Sequence, residues 1–492
     1  MQEALLQLAT PTGLILILFG TTLGVFVGAI PGLTGTMLIA LTLPLTFGAD
    51  PQYAMTLLIS IYVGAISGGM ISATLLRMPG TPASIVTTFD GYPMAQNGQP
   101  ERALGLGIMA SVTGGLISWC FLLTLAQPIA RYSKEFGPFD YFSLVMMALV
   151  LIATIGGKSI LRSLFSGFLG ILLAMPGIAV ATGETRLTFG ITELNDGFQL
   201  LPVLIGMFAV NQILRDIIDS AKPQSTTPIA TQGLALKISD FKNHGLNLIR
   251  SSLVGTWIGI LPGIGANIGS VTAYSVARST SRNPEKFGTG CEDGIVAAEA
   301  ANNATIGGAL IPLVAMGIPG SVVEAVLLGA LVIHGFQPGP RLFEQSPELV
   351  YTIIFTCLFA NLAMAGIMCC SIRTLAWLTK IPRAFLLPII LTFCVVGSFA
   401  MSNRMFDVWV MISFGLLGLF LESKKIPLAP FVIGFVLGPI AEENLSAGLM
   451  GSGGDWTPIF TEPKSLAFLL IAVLLLAIPI CRNRYRDWRS QS

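Results

Sequence analysis

The sequence predicts an all-α polytopic membrane protein of two inverted-topology repeats, with re-entrant hairpins and discontinuous helices. Three observations carry this. Hydrophobic residues make up 53% of the 492 and charged ones 11%, against roughly 25% charged in soluble chains. The apolar runs reach the about 20 residues a helix needs to cross a hydrocarbon core. A Gly/Pro signature also recurs on either side of a central polar stretch. The runs are continuously apolar rather than alternating, which excludes a membrane β-barrel. A net charge of +1, with no basic domain or stacking-aromatic module, argues against a nucleic-acid partner.

About 11 full spans are expected, near 53–79, 103–127, 141–157, 159–180, 197–214, 294–335, 348–371, 384–400, 405–421, 427–440 and 465–481. Two further runs, 14–47 and 247–279, are cut in the middle by a Pro-Gly tip. They read either as re-entrant hairpins or as paired spans joined by a tight turn. The short second arm of the first, 36–47, favours a hairpin, because irregular backbone at membrane depth is tolerated only inside protein or a wet cavity.

Lysine and arginine concentrate on the cytoplasmic side of membrane proteins. With a periplasmic N-terminus and a cytoplasmic C-terminus, 21 of the 27 fall on that side, leaving Arg131, Lys134, Arg186, Arg341, Arg404 and Lys464 outside. Paired spans in place of hairpins leave this parity unchanged. The expected organisation is a first membrane repeat at 1–215, a cytoplasmic linker at 216–246, a second repeat at 247–445, and a periplasmic loop, final span and basic cytoplasmic tail at 446–492. The start at Met1, Gln2, Glu3 and Ala4 lacks the basic region of a cleaved signal, so no processing is expected. The seven cysteines, odd in number and without C-x-x-C spacing, read as small buried hydrophobes.

Gly24, Gly28, Pro31 and Gly32 recur as Gly255, Gly259, Pro262 and Gly263, displaced by 231. Gly68-Gly69 ahead of Pro79-Gly80 recurs as Gly307-Gly308 ahead of Pro319-Gly320, with one residue of slippage. Five crossings separate equivalent points, an odd number, so the second copy is inverted. Inverted repeats suit alternating access.

Proline removes a helix hydrogen bond and frees a carbonyl. The broken ends offer N–H groups and positive dipole ends to carboxylates, and carbonyls to a cation. The alternative is that Pro-Gly pairs are loop punctuation outside the membrane. The substrate-binding candidates are Gly32, Thr34, Arg77, Gly80, Thr81, Ser84, Gly263, Asn267, Asn302, Asn303, Gly320 and Ser321. Valine at Gly80 or Gly320 is expected to abolish transport in a folded protein, and Ser84→Ala to weaken affinity only a few-fold, by about 1 kcal/mol.

Glu299, Asn302 and Asn303 share one helical face. Intramembrane carboxyls are costly and mark function, so Glu299 and Glu324 are candidates for proton or cation coupling. The competing reading keeps 291–305 at the cytoplasmic surface, with Glu299 solvated. His244 and His334 read as structural. Gly157-Lys158-Ser159 resembles the end of a phosphate-binding loop, but Ile152 replaces its first glycine, which excludes ATP chemistry.

The strings Pro31-Gly32-Leu33-Thr34-Gly35, Pro79 to Ser84 with Asp90 to Met94, Pro262 to Ser270, and Glu299 to Ser321 resemble the large membrane subunit of the tripartite tricarboxylate transporter family over nearly the whole chain. The resemblance implies a small membrane subunit, a periplasmic solute-binding protein delivering citrate-like di- or tricarboxylates, and uptake across the bacterial inner membrane driven by Na+ or H+, with no other cofactor. One departure is Ser67-Gly68-Gly69-Met70 where the family has aromatic-G-G-S. Another is Arg77 in place of an expected asparagine. Arg77 either pairs with a substrate carboxylate or snorkels to the interface. A carboxylate channel is the first rival function. An intramembrane enzyme is the second and weaker one, since neither H-E-x-x-H nor a serine with a placed histidine is present.

Overall fold

The computed structural model describes residues 1–30, 32–155, 159–179, 182–219, 233–262, 265–378 and 383–491. In the first half, α1 (Gln2–Leu8) leads into α2 (Pro11–Ala29). Thr10 accepts the Gly13 N–H at 3.1 Å and Pro11 takes the first helical position, where its missing N–H costs nothing. The chain breaks, and α3 (Gly35–Thr42) restarts with Thr34 accepting the Met37 N–H at 3.2 Å. A 3-10 turn at Leu43–Thr46 leads to α4 (Pro51–Leu76), capped by Asp50. After a second break come a 3-10 turn at Pro82–Ile85, α5 (Thr87–Gln96), α6 (Pro100–Ser133), α7 (Pro138–Ile155) and α8 (Ile160–Ala174). A two-stranded ribbon, β1 (Gly177–Ile178) and β2 (Thr185–Arg186), holds the only strands among the described residues. The half ends with α9 (Leu200–Ile205), a π turn at Gly206–Val210 and α10 (Asn211–Asp219).

The second half runs α11 (Ile238–Asn243), α12 (Gly245–Ile260), α13 (Gly265–Thr280), α14 (Glu292–Met316), α15 (Val322–Ile333), α16 (Leu342–Gln345), α17 (Pro347–Leu378), α18 (Arg383–Ser402), α19 (Met405–Ser423) and α20 (Leu428–Gly451). Beyond it lie α21 (Pro458–Thr461) and α22 (Pro463–Gln491). The long run 294–335 is therefore two helices, broken at Gly317 as its glycine and proline predict. Among the described residues, seven helices are long and apolar enough to cross a membrane, α2 and α4 among them. Six other apolar helices, such as Val322–Ile333, are 10–17 residues long.

Glycine packing shows that the sequence repeat is also a contact repeat. A Cβ on Gly24, Gly28 or Gly68 would collide with the carbonyl oxygens of Ile61, Ala65 and Val25 respectively. In the second half, a Cβ on Gly255, Gly259 or Gly308 would collide with those of Ala301, Thr305 and Thr256. Residue for residue these are the same contacts, shifted by 231 on the first arm and 240 on the long helix. The one-residue slippage read from the sequence disappears, because Gly68 and not Gly69 is the counterpart of Gly308. Gly69 packs instead on the Thr81 and Ser84 hydroxyls.

The helix stops repeat as well. Arg77 and Gly317 both adopt the left-handed conformation, at φ 57° and 72°. Met78 N–H then reaches Ser72 O at 3.4 Å, and Ile318 N–H reaches Pro312 O at 3.2 Å. Only glycine is unstrained at such a stop. Arg77→Gly is expected to stabilise the protein by about 0.5–1 kcal/mol, less the cation–π contact of its guanidinium over Tyr92. A raised midpoint of thermal unfolding in detergent checks it.

Each half also lends a helix to the other. α6 packs on α14 and α17 packs on α4, while α8 packs on α20 and α19 on the π turn. Small residues permit these close crossings: Gly114 lies against the Ala300 carbonyl, Gly170 against that of Phe431 and Gly206 against that of Met411.

Candidate functional site

The four breaks meet in pairs. Gly80, buried, lies against the Gly28 carbonyl at the end of α2 and donates its N–H to Gly69 O at 3.3 Å. A Cβ on Gly320 would stand 3.0 Å from Gly259 O, and one on Gly265 3.4 Å from Ser321 Cβ. The helix that follows each Pro-Gly tip reaches the other half's break, α3 against α15 and α13 against the Pro82–Ile85 turn. Gly32 turns at φ 92°. Gly263, an expected site residue, lies outside the described residues.

At the second break Thr81 and Ser84 close on each other. Ser84 Oγ accepts the Thr81 N–H at 3.1 Å and donates to Thr81 O at 2.8 Å. Ser84 is fully buried, so its hydroxyl holds the turn. At the fourth break Ser321 caps α15, accepting the Val323 N–H at 3.2 Å. Asn267 is exposed in the first turn of α13. Arg77 is exposed with its guanidinium over Tyr92, and is not brought to the other candidates.

Glu299, Asn302 and Asn303 are fully buried. The reading that solvates Glu299 at a surface is thereby corrected: the acidic surface turn of α14 is Glu292 and Asp293, and Glu299 lies about 10 Å further along at about 1.5 Å per residue. Glu299 Oε1 accepts a close hydrogen bond from Thr87 Oγ1. Its Oε2 lies 3.4 Å from Ser111 Oγ and 3.5 Å from Asn302 Nδ2. Asn303 donates to Ser111 Oγ at 2.8 Å and to Glu299 O at 3.1 Å, and accepts from Ser67 Oγ at 2.6 Å.

Glu324, also fully buried, accepts from Tyr62 Oη at 2.5 Å and from Ser321 Oγ. Among the described residues no lysine, arginine or histidine bonds to either carboxyl. Burying an unpaired charge costs several kcal/mol, and hydroxyl and amide donors are what these two carboxyls have in place of a cation.

Sequence reasoning missed Tyr62, Ser67, Thr87 and Ser111, which complete these clusters. Ser111 left a signal in the small-residue stripe of α6, where Gly107, Ser111, Gly114 and Ser118 recur at helical spacing. The cavity beside Asn303, between Val63, Trp119 and Asn361, is about 10 Å³, room for one water. A cavity of about 670 Å³ opens between α13 and the first half's break, lined by Val86, Phe89, Tyr274, Ser275 and Arg278. That volume suits a small ligand.

Asp90, in the DGYPM string, is the main tie between the halves on this side. Its Oδ1 accepts the N–H groups of Gly288, Gly290 and Cys291 at 2.8, 2.9 and 2.7 Å, and its Oδ2 accepts from Tyr274 Oη at 2.8 Å. Beyond it, Arg102 at the start of α6 bonds to Asp240 at 2.9 Å and Glu292 at 2.7 Å. His244 bonds to Asp293 at 2.8 Å and Glu292 at 3.1 Å.

The Arg102 hydrogen bonds hold the Asp240 carboxyl down at about 2 and that of Glu292 below its usual value. The bond from His244 lowers Asp293, and the bond to Asp293 raises His244 against the opposing effect of burial. A raised imidazole contributes stability that is complete below its unfolded value, about 6.5, and is lost as pH rises through its higher folded value. The lowered carboxyls contribute above their unfolded values, about 4, and lose that contribution as pH falls through the folded ones. The stability difference between the wild type and His244→Gln should therefore shrink as pH is raised above about 7, read as thermal midpoints in detergent.

Apolar helices, two of them span-length and packed through glycine, with buried carboxyls between, define a polytopic membrane protein. The sequence pattern of the tripartite tricarboxylate transporter TctA family matches residues 14–433, and the chain belongs to that family. It is 33% identical over 478 residues to an uncharacterized 52.8 kDa protein in the TAR-I ttuC′ 3′ region of Agrobacterium vitis, covering 96% of this chain and 95% of that one. It is 35% identical over 233 residues to an uncharacterized protein in the TAR-II ttuC′ 3′ region of the same organism, covering 47% of this chain and 96% of that one. No solved structure matches the chain.

Proposed function

We propose that this chain is the large permease subunit of a secondary active uptake system for small, citrate-like di- or tricarboxylates. A periplasmic binding protein delivers the substrate, a small membrane subunit completes the permease, and a gradient of Na+ or H+ drives uptake across the bacterial inner membrane. The observation that carries this is the recurrence of one glycine-packed, broken-helix unit in two halves, with the family membership beside it. Exchange of conformation between two such halves is what alternating access needs, and neither a channel nor an enzyme requires it.

Between equivalent points of the two copies stand α4, α6, α7, α8 and the α9–α10 unit, five crossings that make the second copy inverted. The repeats occupy 1–215 and 247–445, with the N-terminus periplasmic and the C-terminus cytoplasmic. In α2–α3 the short second arm supports a re-entrant hairpin; α2 itself is span-length. The substrate then sits between the paired breaks, near Gly32, Gly80, Gly263 and Gly320 and on Thr34, Thr81, Asn267, Asn302, Asn303 and Ser321. Ser84 acts through the Thr81 turn, and the exposure of Arg77 favours its interfacial role.

Labelled di- and tricarboxylates offered to proteoliposomes holding all three components, with Na+ and pH gradients imposed separately, test the reading. Gradient-dependent accumulation of at least one carboxylate is expected. Flux that never exceeds equilibration would point to a channel.

A further inference from the structure

Hydrogen-bond geometry separates the two buried carboxyls. Resting on the transport reading above, we infer that Glu299 carries the coupling proton and that Glu324 is a capping residue. Glu324 is the third residue of α15, and its Oε2 accepts from the cap residue Ser321 and its Oε1 from Tyr62 at 2.5 Å. It therefore stands at the positive end of a helix with both oxygens engaged by donors, an arrangement that suits the anion.

Glu299 is the eighth residue of the 25-residue α14, away from both ends of its own helix, and the helix start nearest to it, Thr87 of α5, engages only Oε1. Thr87 serves Oε1 closely, but Oε2 has only the contacts of 3.4 and 3.5 Å. Alongside, Asn302 Oδ1 is fully buried and has no hydrogen-bond partner. The donors at Oε2 are long, and one acceptor beside them has no donor, so this corner holds a protonated Oε2 at less cost than the closely served Glu324 would.

The charged and titratable groups on neighbouring elements are engaged elsewhere. On α5, Asp90 is held by the Gly288–Cys291 amides and Tyr274 of α13. On α6, Arg102 holds Asp240 of α11 and Glu292. His244 and Asn247, at the start of α12, hold Asp293, and Arg250 holds Asn247. On α13, Arg278 bonds to Pro284 O, and on α4 Tyr62 bonds to Glu324. Glu299 takes a proton from water on one side of the membrane and returns it to water on the other, with only its own O–H bond made and broken. The repeat shift of 240 puts Ile59 at the equivalent place in the first half, so this carrier occurs once per chain.

The test uses the full chain with its small subunit and binding protein in proteoliposomes, with labelled citrate and labelled succinate as probes. An inward acid gradient of one pH unit raises accumulation about tenfold for each coupled proton. Relative to its own level without a gradient, Glu299→Gln is expected to lose that response, while Glu324→Gln keeps it at whatever rate remains. Thr87→Val removes a donor that favours the ionised carboxyl and should move the pH midpoint of citrate exchange upward. A tenfold response surviving in Glu299→Gln overturns the inference, as does wild-type accumulation that follows Na+ and ignores pH. If Glu299→Gln does not insert, an unmoved midpoint in Thr87→Val overturns it instead. A wild type that exchanges neither probe and no other carboxylate counts against the transport reading itself.

Discussion

Gly80→Ala should strip most of the folded protein from the membrane, and Gly320→Ala should cost less. A methyl group at Gly80 collides with the Gly28 carbonyl and stands 2.8 Å from Gly69 Cα. Both neighbours are backbone of packed helices and cannot turn away. Overpacking ordinarily costs about 1–3 kcal/mol, and a clash of backbone on two sides lies at or above that range. At Gly320 the nearest atoms are Ala309 Cβ at 2.7 Å, Ala309 Cα at 2.9 Å and Gly259 O at 3.0 Å, a clash too, but one without an atom as close as the Gly28 carbonyl is at Gly80. Membrane abundance and thermal midpoints of the two variants check this, and equal loss would count against it. The expectation that Gly80→Val abolishes transport in an otherwise folded protein is revised accordingly: at Gly80, function and packing share one contact.

Asp90→Ala should be the most damaging loss of a single polar side chain. It deprives the Gly288, Gly290 and Cys291 amides and the Tyr274 hydroxyl of their common acceptor. A buried donor left unpaired costs about 1–3 kcal/mol, so three amides together reach several kcal/mol even after partial rehydration. Tyr274→Phe removes one hydroxyl and should cost about 1 kcal/mol. Hydrogen exchange at residues 288–294 separates the two: fast in Asp90→Ala and little changed in Tyr274→Phe. Protection that persists at those amides in Asp90→Ala would show that they have another acceptor.

Much of this was legible because lipid and backbone geometry leave few choices. Apolar length announced the helices, and Gly317 with Pro319 announced the break that divides α14 from α15, since a proline and a left-handed stop cannot be carried through a regular helix. Arg77 was less legible. It holds the place of Gly317 in the first half, yet as an arginine it suggested a substrate contact where the backbone needs a helix stop. Glu299 could be placed on one face with Asn302 and Asn303, but its depth could not be read, because one acidic residue looks alike one turn or three turns from a surface. Its partners Thr87 and Ser111 come from α5 and α6, about 190 to 210 residues away in sequence, at a range where no local periodicity carries information.

By itself, then, the sequence determined that the chain lives in a membrane, where its helices stop, and that it is written twice, since each of these follows from local chemistry repeated along the chain. Only the tertiary structure decided which glycines stand at the close helix crossings. It also decided that Asp90 ties one half to the other, and that two carboxyls alike in sequence differ in their donors. Those properties belong to pairs of atoms brought together by packing, and a pair has no signature in either member alone.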